Sequence, residues 1–255
     1  MQSQGMLGIK GMVQVLLFGT LWACATAQVP SYEKIGSDAP GATVKGHVTF
    51  VGTLPDVQAS RIYRDTGLCG EEILTEEISV AEGSKGIEGV IVSLEGVTKG
   101  KPLGKQETVV LENRGCRFVP SVATTVVGST LEVQNTDPVL HTTHARLDSR
   151  FGASVWNVVQ PEGAAAVSKP LPRNALIDVR CDLHPNMKAF VLVFNHPYFT
   201  ITDAEGNFEL GKVPPGTYQL RAWHARLGSR EKPIAVPSQG VLTADVTIDL
   251  RRGEK

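Results

Sequence analysis

From Val44 onward the chain is a succession of short apolar or alternating runs, separated by breaks rich in Gly, Pro, Asn and Asp. The runs include Gly46–Val51, Gly89–Leu94, Thr108–Leu111, Thr130–Gln134, Leu176–Arg180 and Ala189–Phe194. Runs of this length with period-two alternation are half-buried strands. No amphipathic stretch is long enough for a stable helix, and only Arg61 to Glu72 has room for a helical turn or two. Near the C-terminus Leu242, Ala244, Val246, Ile248 and Leu250 share one face, with Thr243, Asp245, Thr247 and Asp249 on the other. That is a single strand with one face on a core. Gly206, in Asp203-Ala204-Glu205-Gly206-Asn207, and Gly216, after Pro214-Pro215, are placed as turn residues with positive φ. No repeat of solenoid or propeller length is present. The pattern predicts an all-β protein of two Greek-key sandwiches in tandem, over 44–195 and 196–255, behind an exposed lead-in at 28–43.

The first 27 residues read differently. Lys10 is their only charge, and the apolar stretch from Met12 to Ala23 is interrupted by Gln14 and Gly19. It is shorter than the ~20 residues a spanning helix needs. It ends in Ala25-Thr26-Ala27, a small-x-small cleavage pattern, so 1–27 is expected to be a signal peptide cut before Gln28. A rival reading takes Leu21-Trp22-Ala23-Cys24 as a rough lipobox that would leave Cys24 lipidated. The bulky Trp22 stands against it. The expected location is periplasmic or secreted, with no membrane span in the mature chain.

Over the whole 255 residues, 25 Lys+Arg face 26 Asp+Glu, which lacks the basic excess of a nucleic-acid binder. A 42% hydrophobic and 20% charged composition argues against a largely disordered chain.

Export changes the meaning of the cysteines. Behind the leader stand Cys69, Cys116 and Cys181. In an oxidising compartment an even pair tends to bridge and an odd one needs a reason. Cys69 and Cys116 lie in Gly-marked loops, so a Cys69–Cys116 disulfide is the economical assignment. Cys181 is then engaged by something else.

Its neighbours suggest what. Cys181-Asp182-Leu183-His184-Pro185-Asn186-Met187 spaces a thiol, an imidazole and a thioether as Cys-x-x-His-x-x-Met in a loop between two strands. Upstream, the strand carrying Leu131 and Val133 ends in Asp137-Pro138-Val139-Leu140-His141-Thr142-Thr143-His144. The candidate ligands are His141, Cys181, His184 and Met187. His144, three residues on, would face the other way on a strand. Soft sulfur donors with imidazoles favour copper over magnesium or calcium, and zinc gains little from a Met. Two His, one Cys and a weak axial Met make the blue-copper electron-transfer set.

On these residues, Gly128 to Phe194 resembles the cupredoxins, with a Cys-x-x-His-Pro-x-Met loop similar to that of amicyanin. Gly115-Cys116-Arg117-Phe118-Val119-Pro120 also looks like multidomain bacterial cupredoxin-like proteins. The resemblance implies one type 1 copper and His184 as the ligand nearest the surface. The surface beside it would then include Pro185, Asn186, Pro138, Val139 and Leu140. Two departures stand out: Thr142 replaces the usual Asn after the first His ligand, and Asn186 replaces an apolar or aromatic residue. The tail from His196 to Leu250, through Thr202–Gly206 and Pro214–Tyr218, resembles the carboxypeptidase regulatory-like domain, a transthyretin-like sandwich without catalytic residues.

His47, His196 and His224 read as packing or sheet-face residues, and Trp156 as core or rim packing. There is no Gly-rich phosphate loop, HExxH or nucleophile elbow. The expected activity is one-electron carriage rather than catalysis, with a c-type cytochrome or periplasmic dehydrogenase as redox partner. The rivals are a copper-delivery protein and a metal-free adhesion or scaffold module.

Overall fold

The computed structural model describes residues 32–36, 40–74 and 78–250. The expected signal peptide and the Cys24 lipobox lie outside them. Among the described residues no helix is long and apolar enough to cross a membrane. The all-β expectation holds, with one helical turn at Thr66–Cys69 inside the stretch that had room for it.

One sandwich runs from 108 to 194. Its four-stranded sheet has the order Val167–Pro170, Thr130–Asn135, Thr108–Asn113, Phe118–Val119. The facing five-stranded sheet has the order Ser154–Gln160, His141–Leu147, Ala175–Arg180, Lys188–Phe194, Val122–Val126. Thr130–Asn135 pairs in parallel with Thr108–Asn113, and Lys188–Phe194 with Val122–Val126. Leu111, Leu131, Val133, Ala145, Ile177, Val179, Ala189 and Val191 fill the space between the sheets. Fully burying each such Val, Leu or Ile contributes about 1.5–3 kcal/mol. Cys181 and Met187 belong to the same cluster, so the candidate metal loop caps this core rather than hanging from it.

The second sandwich corrects the expected boundaries. Strand Ala42–Val51 does not belong with the 108–194 sheets. It pairs with Asn207–Val213 on one edge and with Val241–Thr243 and Val246–Asp249 on the other. Ile91–Glu95 likewise sits between Phe199–Ile201 and Gly216–His224, which continues to Gly228–Val236. Segments 42–51 and 91–95 therefore complete the C-terminal sandwich, and the metal sandwich is inserted between its halves. The reason is physical: strands of the tail need central partners, and those partners precede the insertion in the chain. Val44, Val48, Val92, Leu94, Leu220 and Ile248 form the shared core.

The last strand is also corrected. It is broken at Ala244–Asp245, where the Ala244 carbonyl turns toward Gly46 and the His47 amide donates to Asp245 Oδ1 at 3.0 Å. A Cβ on Gly46 would lie 2.5 Å from that carbonyl oxygen, which is why the position has none. Gly206 has the expected positive φ of 82°, whereas Gly216 is close to extended at 158°. The two sandwiches meet through Ile91, Leu192, Phe194 and Trp223, with the Phe190 and Trp223 rings edge-on at 5.4 Å.

Beyond Val51 the chain leaves the second sandwich, and from Ile78 to Val90 it is back in that sandwich's core. The antiparallel pair Ala59–Arg61 and Glu72–Leu74 frames the Thr66–Cys69 turn. This strap is fastened to the metal sandwich by the Cys69–Cys116 disulfide, with the two Cα atoms 5.4 Å apart. The expected pairing is present, and it joins the strap to the metal sandwich rather than closing one sandwich on itself.

Candidate metal centre

Cys181 follows the last residue of Ala175–Arg180, and Lys188–Phe194 returns antiparallel beside that strand. The intervening loop is held tight by its own backbone: Met187 N donates to the His184 carbonyl at 2.9 Å, and Cys181 N to the Met187 carbonyl at 3.4 Å. His141 opens the neighbouring strand, so its side chain meets the loop from the side. His141, Cys181 and His184 are all buried, and their ligand atoms lie within 4.8 Å of one another. Cys181 Sγ is 3.9 Å from His141 Nδ1 and 3.6 Å from His184 Nδ1. Met187, 1% exposed, is buried at the far end of the same loop. The structure thus brings His141, Cys181 and His184 together, with Met187 buried in the same core cluster as Cys181.

The far side of each imidazole is held by a carboxylate. His141 Nε2 donates to Asp137 Oδ2 at 2.9 Å, and His184 Nε2 donates to Asp65 Oδ2 at 3.0 Å. With Nε2 donating to the carboxylate, Nδ1 is the ring nitrogen turned toward the sulfur. This is how a metal-ligating histidine is commonly oriented, with its second nitrogen donating to a carboxylate. Asp137 is itself fixed, accepting from the amides of Gly115 at 2.6 Å and Cys116 at 2.9 Å. Cys116, Asp137 and His141 also cluster, but Cys116 is spent in the disulfide and offers no thiolate.

The thiol is prepared for a cation. Burial pushes Cys181 up, but hydrogen bonds from His141, the Thr142 amide and His184 outweigh it and bring the group down to about 6. His141 moves the other way: burial lowers it, and contacts with Cys181 and Asp137 more than reverse that. The same contacts favour the thiolate, the form a metal ligand requires. The donor set, one thiol sulfur and two imidazole nitrogens with a buried thioether on the same loop, fits a soft or borderline metal.

Thr142 occupies the place where the resemblance leads one to expect Asn. Its amide donates to Cys181 Sγ at 3.4 Å, and its hydroxyl lies 3.7 Å from the same sulfur. His144 points away, with Nδ1 3.0 Å from Asp182 Oδ2 and Nε2 2.9 Å from Ser154 Oγ. The remaining histidines stay apart from the site. His47 meets the Glu205 carbonyl, His196 Nδ1 accepts from Tyr198 N, and His224 Nδ1 accepts from Arg226 N. Trp156 packs against the core of the metal sandwich.

One expectation fails. His184 is not nearer the surface than the other candidate ligands: like them it is buried, 1% exposed, and covered by the strap whose Asp65 it contacts. The surface beside it keeps Pro185 and Pro138 exposed, while Asn186 is half-buried with Nδ2 3.5 Å from the Cys116 carbonyl. Sequence reading also missed both carboxylates. Asp137 was within reach, four residues before His141. Asp65, 119 residues from His184, carries no local signal.

No family model matches this chain, and no curated protein matches it. Several solved structures are similar over part of it. A Cu-containing nitrite reductase from Thermus scotoductus shares 21% identity over 39% of this chain, with a TM-score of 0.30. This chain spans 24% of that protein's length. A reduced amicyanin variant shares 20% identity over 34% of this chain and 81% of its own, at a TM-score of 0.30. A second reduced amicyanin variant shares 17% over 40% of this chain and 97% of its own, at 0.31.

Proposed function

We propose that this protein is an exported one-electron carrier built around a single type 1 copper site, with His141, Cys181, His184 and Met187 as ligands. The observation that carries the reading is the donor set itself: a thiolate and two Nδ1 atoms, buried and mutually within 4.8 Å. Both imidazoles are already oriented by carboxylates. Copper, when bound, would supply the one-electron couple. The chain supplies a fixed arrangement that changes little between oxidation states: Asp137 and Asp65 hold the rings, Thr142 holds the sulfur, and burial keeps water out. The transthyretin-like sandwich serves as a scaffold that carries the strap, and the redox partner is a c-type cytochrome or periplasmic dehydrogenase.

The test is an optical spectrum of the purified mature protein after addition of Cu(II). An intense blue thiolate charge-transfer band, absent in Cys181→Ser, is expected. A colourless protein that takes zinc as tightly as copper would end the copper reading. Rapid loss of copper to a competing apo-acceptor, with sluggish electron exchange, would favour copper delivery instead.

A further inference from the structure

The strap is covalently fastened to the metal sandwich at Cys69 and touches the metal centre at Asp65. Asp65 stands at the N-terminal end of the Thr66–Cys69 turn, the position where Asp usually caps a helix with its side chain. Here it makes no side-chain cap, and its backbone is left-handed at φ 52°, a conformation that costs a non-Gly residue energy. The carboxylate released from capping goes to His184 Nε2 instead. The backbone strain and the forgone cap are both offset by a charge-assisted hydrogen bond to a buried ring. Beside this contact the strap is not pressed onto the ligand loop: a cavity of about 430 Å³, lined by Ile62 and Tyr63 on one side and Leu183 and Pro185 on the other, separates them. Asp65 thus reaches His184 as a strut, its Oδ2 also lying 3.5 Å from Arg64 Nε.

The disulfide fixes that strut. The Cys69 amide donates to the Asp65 carbonyl at 2.9 Å, and Cys69 is bonded to Cys116. The Cys116 amide in turn donates to Asp137, the partner of His141. One covalent link therefore joins the two carboxylates that orient the two imidazoles, although one carboxylate belongs to the metal sandwich and the other to the strap.

We infer that Asp65 is a positioning residue for the metal centre, supplied from outside the metal sandwich to fix His184 and to place a negative charge behind it. The inference rests on the copper reading for its consequences, but not for the contact itself. A carboxylate on a ligating imidazole raises its basicity and favours the more highly charged metal state. Asp65 therefore strengthens copper retention and lowers the reduction potential.

The experiment compares the mature protein with Asp65→Asn and Asp65→Ala. In metal-free protein, nitrogen-resolved NMR should show a slowly exchanging His184 Nε2–H in the wild type, retained in Asp65→Asn and lost in Asp65→Ala. With copper, chelator competition should show a roughly 10–100-fold loss of affinity in Asp65→Ala. Asp65→Asn should remain within a few-fold of wild type. The potential should rise in Asp65→Asn, where the orientation is kept and the charge is gone, an effect that a merely structural role would not produce. An unprotected His184 ring in the wild type, or unchanged affinity and potential in both variants, overturns the inference. If Asp65→Ala does not fold, Asp65→Asn alone decides through the potential. A wild type that binds no copper would refute the proposed function, while the metal-free spectrum would still judge the contact.

Discussion

The amide of Asp182 donates to Thr142 Oγ1 at 2.7 Å, tying the loop that carries Cys181 and His184 to the strand that carries His141. Thr142 makes this link with a side chain one atom shorter than Asn, while its own amide addresses the sulfur. The short hydroxyl suffices because the two segments approach closely enough for the backbone itself to reach Sγ.

Thr142→Val keeps the shape and the amide but removes the acceptor. Leaving a partly buried amide without its partner should cost about 1 kcal/mol, measured by denaturant unfolding of metal-free protein. The blue band should also shift, because the sulfur loses the neighbouring hydroxyl. Thr142→Ser should behave as wild type in both measurements. Equal behaviour of the Val and Ser variants would show that the amide alone holds the loops together.

The strands were legible where alternation is local. Thr130–Gln134 and Ala189–Phe194 fall inside observed strands because each buries one face in its own neighbourhood. His141 could be separated from His144 for the same reason, since residues three apart on a strand face opposite ways. What could not be read was pairing across long distances. Nothing near His47 says that its strand will lie beside Asn207 and Val246. The break at Ala244–Asp245 was hidden because Asp245 alternates correctly while its carboxylate serves the His47 amide. Asp65 was invisible as a site residue because its role depends on a disulfide that folds the strap back over a loop more than a hundred residues away.

Thiol counting under denaturing conditions on metal-free protein beginning at Gln28 should find one free thiol, Cys181. Removing the bridge with Cys69→Ala and Cys116→Ala together should cost about 2–4 kcal/mol, as expected for closing a loop of this size. Because the bridge sits between Asp65 and Asp137, the double variant should also hold copper less tightly. A loss of stability with unchanged copper affinity would make the disulfide a fastening for the strap alone.

His196 lies just past strand Lys188–Phe194, 4% exposed, and burial brings it down to about 4 although backbone carbonyls oppose the shift. In the unfolded chain it titrates near its ordinary value, so the unfolded state binds the proton first as pH falls. The stability this neutral ring contributes is complete above about 6.5 and is lost progressively toward pH 4, by about 3 kcal/mol in all. His196→Asn retains an acceptor for the Tyr198 amide and removes the titration. Its denaturation midpoint should fall less steeply with acid than that of wild type, and parallel curves would place the acid sensitivity elsewhere.

On the proposed electron-carrier function, the covered His184 changes where an electron should enter. The surface over that ring is the strap, with Arg61 and Arg64 exposed and Tyr63 86% exposed. Arg61 borders the same cavity as His184. If electrons leave through the His184 side, the charge at Arg61 acts on the approaching reagent within a Debye length. Arg61→Glu should then slow oxidation of the Cu(I) protein by an anionic hexacyanoferrate several-fold at low ionic strength, and speed oxidation by a cationic cobalt complex. Both effects should fade as salt is added. The blue spectrum should stay as in wild type, because Arg61 touches no ligand. Rates that ignore the reversal with both reagents would place the electron port on another face of the metal sandwich, with the exposed Pro138 side as the next surface to alter.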